Sequence, residues 1–90
     1  MRVRTLYFAR LRELTGLESE ELELPEGSVC GDVVREVIRV HGERLASYLL
    51  DERGTLRRSF ALAVNGRKVG PEEPIREGDT VVILPPISGG

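Results

Sequence analysis

The last six residues of the chain have its clearest capacity for chemistry, because they carry a carboxylate on a slim, stiff stalk. They are Pro85, Pro86, Ile87, Ser88, Gly89 and Gly90. The two prolines fix φ and favour an extended path, and the two glycines have no side chain to obstruct entry into a narrow channel. A carboxylate presented in this way can be activated by adenylation and then attacked by a sulfur or nitrogen nucleophile. The predicted reactive group is therefore the carboxylate of Gly90.

Length and composition limit what else the protein can be. Its 90 residues form one small domain, residues 1–90, with a single hydrophobic core. The formal net charge of −2 gives no field that attracts nucleic acid, so we expect no nucleic-acid partner. No apolar stretch approaches the roughly 20 residues needed to span a bilayer, and the N-terminus has a strand pattern rather than a signal peptide. The sequence predicts a cytoplasmic protein without membrane attachment.

Cys30 and His41 are the single cysteine and the single histidine of the sequence. One cysteine cannot form an intramolecular disulfide, and the pair is too small a set for a zinc site or an iron–sulfur cluster, so we predict no metal. Cys30 lies in the first turn of a predicted helix, where we interpret it as a small buried hydrophobe. His41 lies at the end of that helix, and neither residue has a visible partner in the sequence. No nucleophile–base pair indicates an autonomous enzyme.

The N-terminal part of the chain is predicted to form a hairpin. Residues 2–10 alternate in a strand pattern whose buried face carries Val3, Thr5, Tyr7 and Ala9, and this strand should be central in the sheet. Residues 11–16 form a connection with room for one helical turn, and residues 18–24 form the second strand.

Two helices are predicted next. Valines and isoleucines recur at helical spacing over residues 29–40, with Ser28 as the capping residue and Gly42 as the stop. A shorter helix over residues 43–50 places Leu45 and Leu49 on one side.

The C-terminal half contains the remaining strands. They cover residues 60–64, 68–69 and 81–84, and Asn65–Gly66 forms a tight hairpin turn between the first two. The predicted fold class is α+β, a roll in which a mixed sheet wraps one helix and the first and last strands lie adjacent and parallel.

Four segments together resemble the molybdopterin synthase sulfur-carrier (small) subunit family. They are residues 7–14, 64–66, 77–79 and 84–90. The resemblance spans the whole chain and implies a ubiquitin-like β-grasp with about five strands around one main helix. It also implies that an ATP-dependent activating enzyme adenylates Gly90, which is then converted to a thiocarboxylate.

The same resemblance implies the partners. A sulfur donor protein supplies the sulfur, and the tail enters a larger synthase subunit, where sulfur passes to a pyranopterin precursor of the molybdenum cofactor. The two-sulfur product implies a heterotetramer. The chain itself would be a co-substrate rather than an enzyme, with no bound cofactor, because ATP is used by the activating enzyme.

A docking surface for these partners is expected around the base of the tail. We assign to it Phe8, Leu84, Pro85 and Ile87, with Arg12 on the polar edge. An equally weighted interpretation of Phe8 and Leu84 is that they are ordinary core residues. The role of Arg12 comes mainly from the resemblance. A basic loop with Arg53, Arg57 and Arg58 is interpreted as solvated rather than as a contact for an acidic partner.

Three alternatives stay open at this point. The middle segment, residues 49–57, looks like that of related carriers that donate sulfur for cysteine or other small molecules, so the final acceptor is not fixed. A ubiquitin-like modifier joined through Gly90 to lysines of other proteins uses the same activation. A plain interaction module with an inert tail is the third.

Overall fold

The computed structural model describes residues 1–86 of the protein, and these contain five strands and three helices. The strands are β1 (Arg2–Leu6), β2 (Ser19–Glu23), β3 (Ala61–Val64), β4 (Arg67–Val69) and β5 (Thr80–Leu84). The helices are α1 (Ala9–Thr15), α2 (Cys30–His41) and α3 (Glu43–Leu49).

The strands form one mixed sheet in the order β2-β1-β5-β3-β4. β1 pairs with β5 in parallel, whereas β1–β2, β3–β5 and β3–β4 are antiparallel. The predicted parallel pairing of first and last strands is confirmed, and β1 lies inside the sheet beside the middle strand β5. This α+β arrangement, with the long helix α2 against one face of the sheet, is a β-grasp.

The core lies between α2 and the sheet. Val33 and Val37 of α2 are buried, as are Val3 of β1 and Val81 of β5. Valine has low helix propensity, so α2 owes its stability to this one-sided packing. Cys30 is also fully buried, as predicted. Burial is the main cause that raises the pKa of its thiol to about 11, and the charge of Glu73 adds to the rise.

The start of α2 differs from the prediction, because Ser28 does not cap it. The Ser28 hydroxyl donates to the carbonyl of Pro25 at 2.7 Å, and the N-cap residue is Val29. Asp32 Oδ2 accepts a hydrogen bond from the backbone N–H of Val29 at 2.8 Å. A carboxylate one turn into the helix therefore stabilises its first turn. Gly42 ends the helix as predicted, with φ of 91°.

The connection after β1 also differs from the prediction. The sequence predicts a strand over residues 2–10, but β1 ends at Leu6 and Ala9 begins a seven-residue helix, α1. The carbonyl of Phe8 accepts hydrogen bonds from Leu11 N at 3.1 Å and Arg12 N at 3.4 Å. These bonds accompany a left-handed φ of 51° at Ala9, a conformation that costs energy in a residue with a Cβ.

The predicted Asn65–Gly66 turn is confirmed. Both residues have positive φ, 51° and 84°, as the tight turn requires. The Asn65 side chain also accepts from Thr80 N and donates to Asp79 Oδ1, each at 2.9 Å. The turn thereby attaches the β3–β4 hairpin to the start of β5.

Candidate functional site

The middle strand of the sheet leads directly into the predicted tail. β5 lies between β1 and β3, so the chain leaves Leu84 at the centre of one end of the sheet. Pro85 is half-buried at this exit and Pro86 is exposed. The remaining predicted tail residues, Ile87, Ser88, Gly89 and Gly90, lie outside the described residues, so their assignments stay predictions.

An apolar strip runs across the sheet face opposite α2. Val81 and Ile83 point into the core, so alternation along β5 places Val82 and Leu84 on the other face. The register puts Leu6 and Ala63 beside Val82, and Ala61 beside Leu84. The apolar strip therefore consists of Leu6, Ala61, Ala63, Val82 and Leu84. An apolar surface of this kind at the base of a tail is suited to contact a partner.

Phe8 and Leu84 belong to the protein surface rather than to the core. Phe8 is 47% exposed and Leu84 is 36% exposed, so the core interpretation of these two residues was wrong. Phe8 has extended φ and ψ of −127° and 154°, and it follows Leu6 by two residues as Leu84 follows Val82. Because Leu6 pairs with Val82, Phe8 and Leu84 lie at the same end of the sheet. Their role in docking stays a prediction.

Arg12 lies on α1, just after Phe8, and it has an acidic neighbour. Its Nη2 atom is 2.9 Å from Glu18 Oε2, and both side chains are largely exposed. An exposed pair of this type contributes little to stability because water screens it. Arg12 is thus placed near Phe8 by a short helix, with its guanidinium accessible from solvent.

A partly buried polar cluster of three side chains was missed from the sequence. The Tyr7 hydroxyl donates to Glu20 Oε1 at 2.6 Å, and His41 Nε2 lies 2.7 Å from the same oxygen. The Tyr7 and His41 rings meet edge to face with centroids 6.0 Å apart. Burial raises the pKa of Tyr7 well above its ordinary value, and the hydrogen bond to Glu20 adds to the rise. Tyr7 is in the core as predicted, but the prediction that His41 has no partner was wrong.

The cluster ties the end of β1 to β2 and to the end of α2, directly beside Phe8. The residues in it are separated by 13 and 21 positions from Glu20, so no local sequence pattern connects them. The remaining signal was weak, because Glu20 lies in a strand with two exposed acidic residues, Glu21 and Glu23, and its sequence does not distinguish it from them.

Among residues 1–86, no three side chains of histidine, cysteine, aspartate or glutamate are grouped so that they could hold a metal ion. Across the same residues, no helix has the length and apolarity to cross a membrane.

Comparison with known proteins agrees with this geometry. The model of the ThiS family matches residues 5–90. A molybdopterin synthase sulfur carrier subunit from Chlamydomonas reinhardtii is 33% identical over 92 residues, which cover 100% of both chains. Small archaeal modifier protein 3 from Haloferax volcanii is 29% identical over 94 residues, again 100% of both chains.

The fold itself has close structural counterparts. The crystal structure of SAMP1 from Haloferax volcanii matches with a TM-score of 0.92 over 100% of both chains, at 24% identity, a likeness of fold alone. The sheet order, the family match and the relatives that align end to end lead to one conclusion. The chain belongs to the ThiS family of β-grasp sulfur carriers.

Proposed function

We propose that this protein is the sulfur-carrying subunit of a molybdopterin synthase, with Gly90 as the reactive residue. The observation that carries the proposal is the family match, which extends to residue 90. It is supported by the relative named as a molybdopterin synthase sulfur carrier subunit, which aligns over the full length of the chain. The exit of the chain from the middle strand, beside the apolar strip, gives the tail a surface on which a partner can dock.

The proposed chemistry has three steps, all at the Gly90 carboxyl group. One carboxylate oxygen attacks the α-phosphate of ATP, pyrophosphate leaves, and an acyl adenylate forms on the activating enzyme. Sulfide, supplied by the sulfur donor protein, then attacks the acyl carbon and displaces AMP, which takes the oxygen with it, and loss of the remaining sulfur-bound proton leaves a thiocarboxylate. On the larger synthase subunit, the thiocarboxylate sulfur attacks a carbon of the pyranopterin precursor and displaces an oxygen leaving group from it. Water then cleaves the thioester so formed, which leaves the sulfur on the precursor and restores the Gly90 carboxylate.

In this scheme the carrier contributes surface and reach rather than catalytic side chains. ATP is consumed by the activating enzyme, so the carrier needs no bound cofactor of its own. The docking surface consists of Phe8 and the apolar strip, which includes Leu84. Arg12 lies near its edge. The groups that bind the precursor phosphate belong to the larger subunit, with which the carrier forms a heterotetramer.

A ubiquitin-like modifier is the second candidate, and one observation favours it. The relative from Haloferax volcanii that aligns end to end is named as a small archaeal modifier protein. The adenylation step would be the same, but a lysine amine of another protein would displace AMP and form an isopeptide bond with Gly90. A sulfur carrier for another pathway differs from the main proposal in its final acceptor.

The intact mass of the protein tests the proposal directly. The chain is incubated with the activating enzyme of its own cell, ATP and a sulfide source, beside a control variant that lacks Gly90. A mass gain equal to the exchange of one oxygen for one sulfur, absent from the control, is the expected result. Addition of the larger subunit and the precursor should then remove the sulfur. Branched Gly-Gly remnants on other proteins, with no sulfur gain, would favour the modifier instead.

A further inference from the structure

A cleft adjoins the base of the tail and is separate from the apolar strip over most of its length. One groove of about 620 Å³ has Leu84 and Pro85 at one end. A second, of about 450 Å³, reaches the first turns of α2. The two grooves share five lining residues, which makes them one continuous cleft, called here the basic cleft. The shared residues are Leu56, Arg58, Phe60, Leu62 and Pro71.

The floor of the basic cleft is apolar and held in place by the core. Phe60 and Leu62 are both buried, with only small parts of their surfaces open to the cleft. The Phe60 ring packs edge to face against Tyr48 of α3, with centroids 5.0 Å apart. Such a floor accepts an apolar side chain from a partner without rearrangement.

The rim of the basic cleft has one sign of charge. It carries Arg35, Arg57, Arg58 and Lys68, of which Arg35 is paired with Asp32 at 2.6 Å. None of the residues that line either groove is aspartate or glutamate. This is unusual for a chain with 15 acidic and 13 basic residues. Arg57 is held by a hydrogen bond from Nη2 to the Ser47 carbonyl at 3.2 Å. Arg58 and Lys68 have no ion pair within residues 1–86.

We propose that the basic cleft binds an acidic, partly apolar segment of the enzyme that activates the tail. The inference rests on the proposed function, because it takes Gly90 as the group that this enzyme adenylates. Four residues follow Pro86, and four residues span at most about 14 Å. An enzyme that holds the Gly90 carboxylate in its active site therefore lies over the end of the cleft at Pro85. Complementary charge then favours an acidic segment on the basic rim.

The structure separates the arginines that were grouped in the sequence. Arg57 and Arg58 line the cleft, whereas Arg53 of the same loop does not. Arg44 of α3 is also exposed and outside the lining. This gives two double variants with the same change of charge: R57E/R58E alters the cleft, and R44E/R53E is the matched control.

The test measures ATP-dependent release of pyrophosphate by the activating enzyme as the carrier concentration is varied. We expect R57E/R58E to raise KM for the carrier on the order of tenfold with kcat nearly unchanged, because rim charges act mainly on association. The KM of the wild-type chain should also rise with salt more steeply than that of the variant. The control R44E/R53E should keep the wild-type KM.

Two results would overturn the inference and are distinguishable. If R57E/R58E keeps the wild-type KM while F8A raises it, the cleft is not a contact and the proposed function stands. If the wild-type chain is not adenylated at all, the proposed function and the inference fall together. Circular dichroism establishes that each variant folds. R58A, which leaves the bond between Arg57 and Ser47 intact, replaces the double variant if that one does not fold.

Discussion

His41 Nε2 lies 2.7 Å from Oε1 of Glu20, although 21 residues separate the two along the chain. The same oxygen accepts the Tyr7 hydroxyl, so one carboxylate joins the end of a helix to two strands. Tyr7 precedes Phe8, and the cluster therefore fixes the backbone from which a proposed docking residue projects.

Replacement of Glu20 by alanine should destabilise the protein by about 1–3 kcal/mol, because the buried Tyr7 hydroxyl loses its acceptor. E20Q retains an acceptor oxygen and should cost less. E21A is the control on the same strand, since Glu21 is exposed and its ion-pair distances to Arg2 and Arg4 are 3.9 Å. Urea unfolding measures all three. An E20A variant as stable as E21A would show that the cluster contributes nothing.

The start of α2 should give the protein an acid-sensitive contribution to stability. The backbone N–H of Val29 and then the guanidinium of Arg35 hold the pKa of Asp32 below its ordinary value. A carboxyl with a lowered pKa in the folded state stabilises fully above its unfolded pKa, about 3.9, and loses this contribution as pH falls through the folded pKa. The wild type should therefore be more stable than D32A at pH 7. This difference should shrink below about pH 4, as followed by urea unfolding across pH, whereas a difference that stays constant to the lowest pH would contradict the assignment.

Truncation of Phe8 should separate partner binding from stability. Because Phe8 is 47% exposed, F8A should change the free energy of unfolding little, within about 1 kcal/mol. If the proposed function holds, F8A should weaken binding to the activating enzyme or to the larger subunit by about 2 kcal/mol, as expected for an aromatic anchor. V40A is the matched control, since Val40 is 44% exposed and belongs to α2, on the other side of the sheet from the apolar strip. Equal thiocarboxylation rates for F8A and V40A would remove Phe8 from the docking surface.

Glycine should be tolerated better than alanine at position 9. A residue with a Cβ pays about 1–2 kcal/mol for the left-handed conformation, and glycine costs about 0.5–1 kcal/mol in backbone entropy. A9G should therefore stabilise the protein by about 0.5–1 kcal/mol, measured by urea unfolding. A9V should destabilise it, because a β-branched side chain fits this conformation poorly. An A9G variant less stable than the wild type would mean that the Cβ of Ala9 makes packing contacts worth more than the strain.

The elements that sequence predicted well are those determined by local chemistry. The Asn65–Gly66 turn needs only two adjacent residues with access to positive φ. The helix α2 was predicted from the spacing of its valines. Its end at Gly42 was predicted because glycine readily adopts the backbone conformations found where a helix stops. In each case the physical cause lies within a few residues of the feature.

The predictions that failed depend on distant contacts or on a competition between neighbours. The partner of His41, at the end of α2, comes from strand β2, and alternation alone could not show that the strand pattern stops before Ala9. At Ser28 the hydroxyl binds the Pro25 carbonyl, and Asp32 serves the helix start instead. The exposure of Phe8 and Leu84 follows from a sheet that is covered by a helix on one face and open on the other, which requires the assembled fold.

The position of β5 has a consequence for biosynthesis. β5 is translated after every other strand, yet it stands between the β1–β2 hairpin and the β3–β4 hairpin and joins them. On a ribosome, the two hairpins have no common partner until residues 80–84 emerge, so the sheet cannot close before that point. A chain that terminates early lacks its middle strand and stays open to proteolysis. Every molecule that passes into the folded pool therefore carries the strand from which the tail departs.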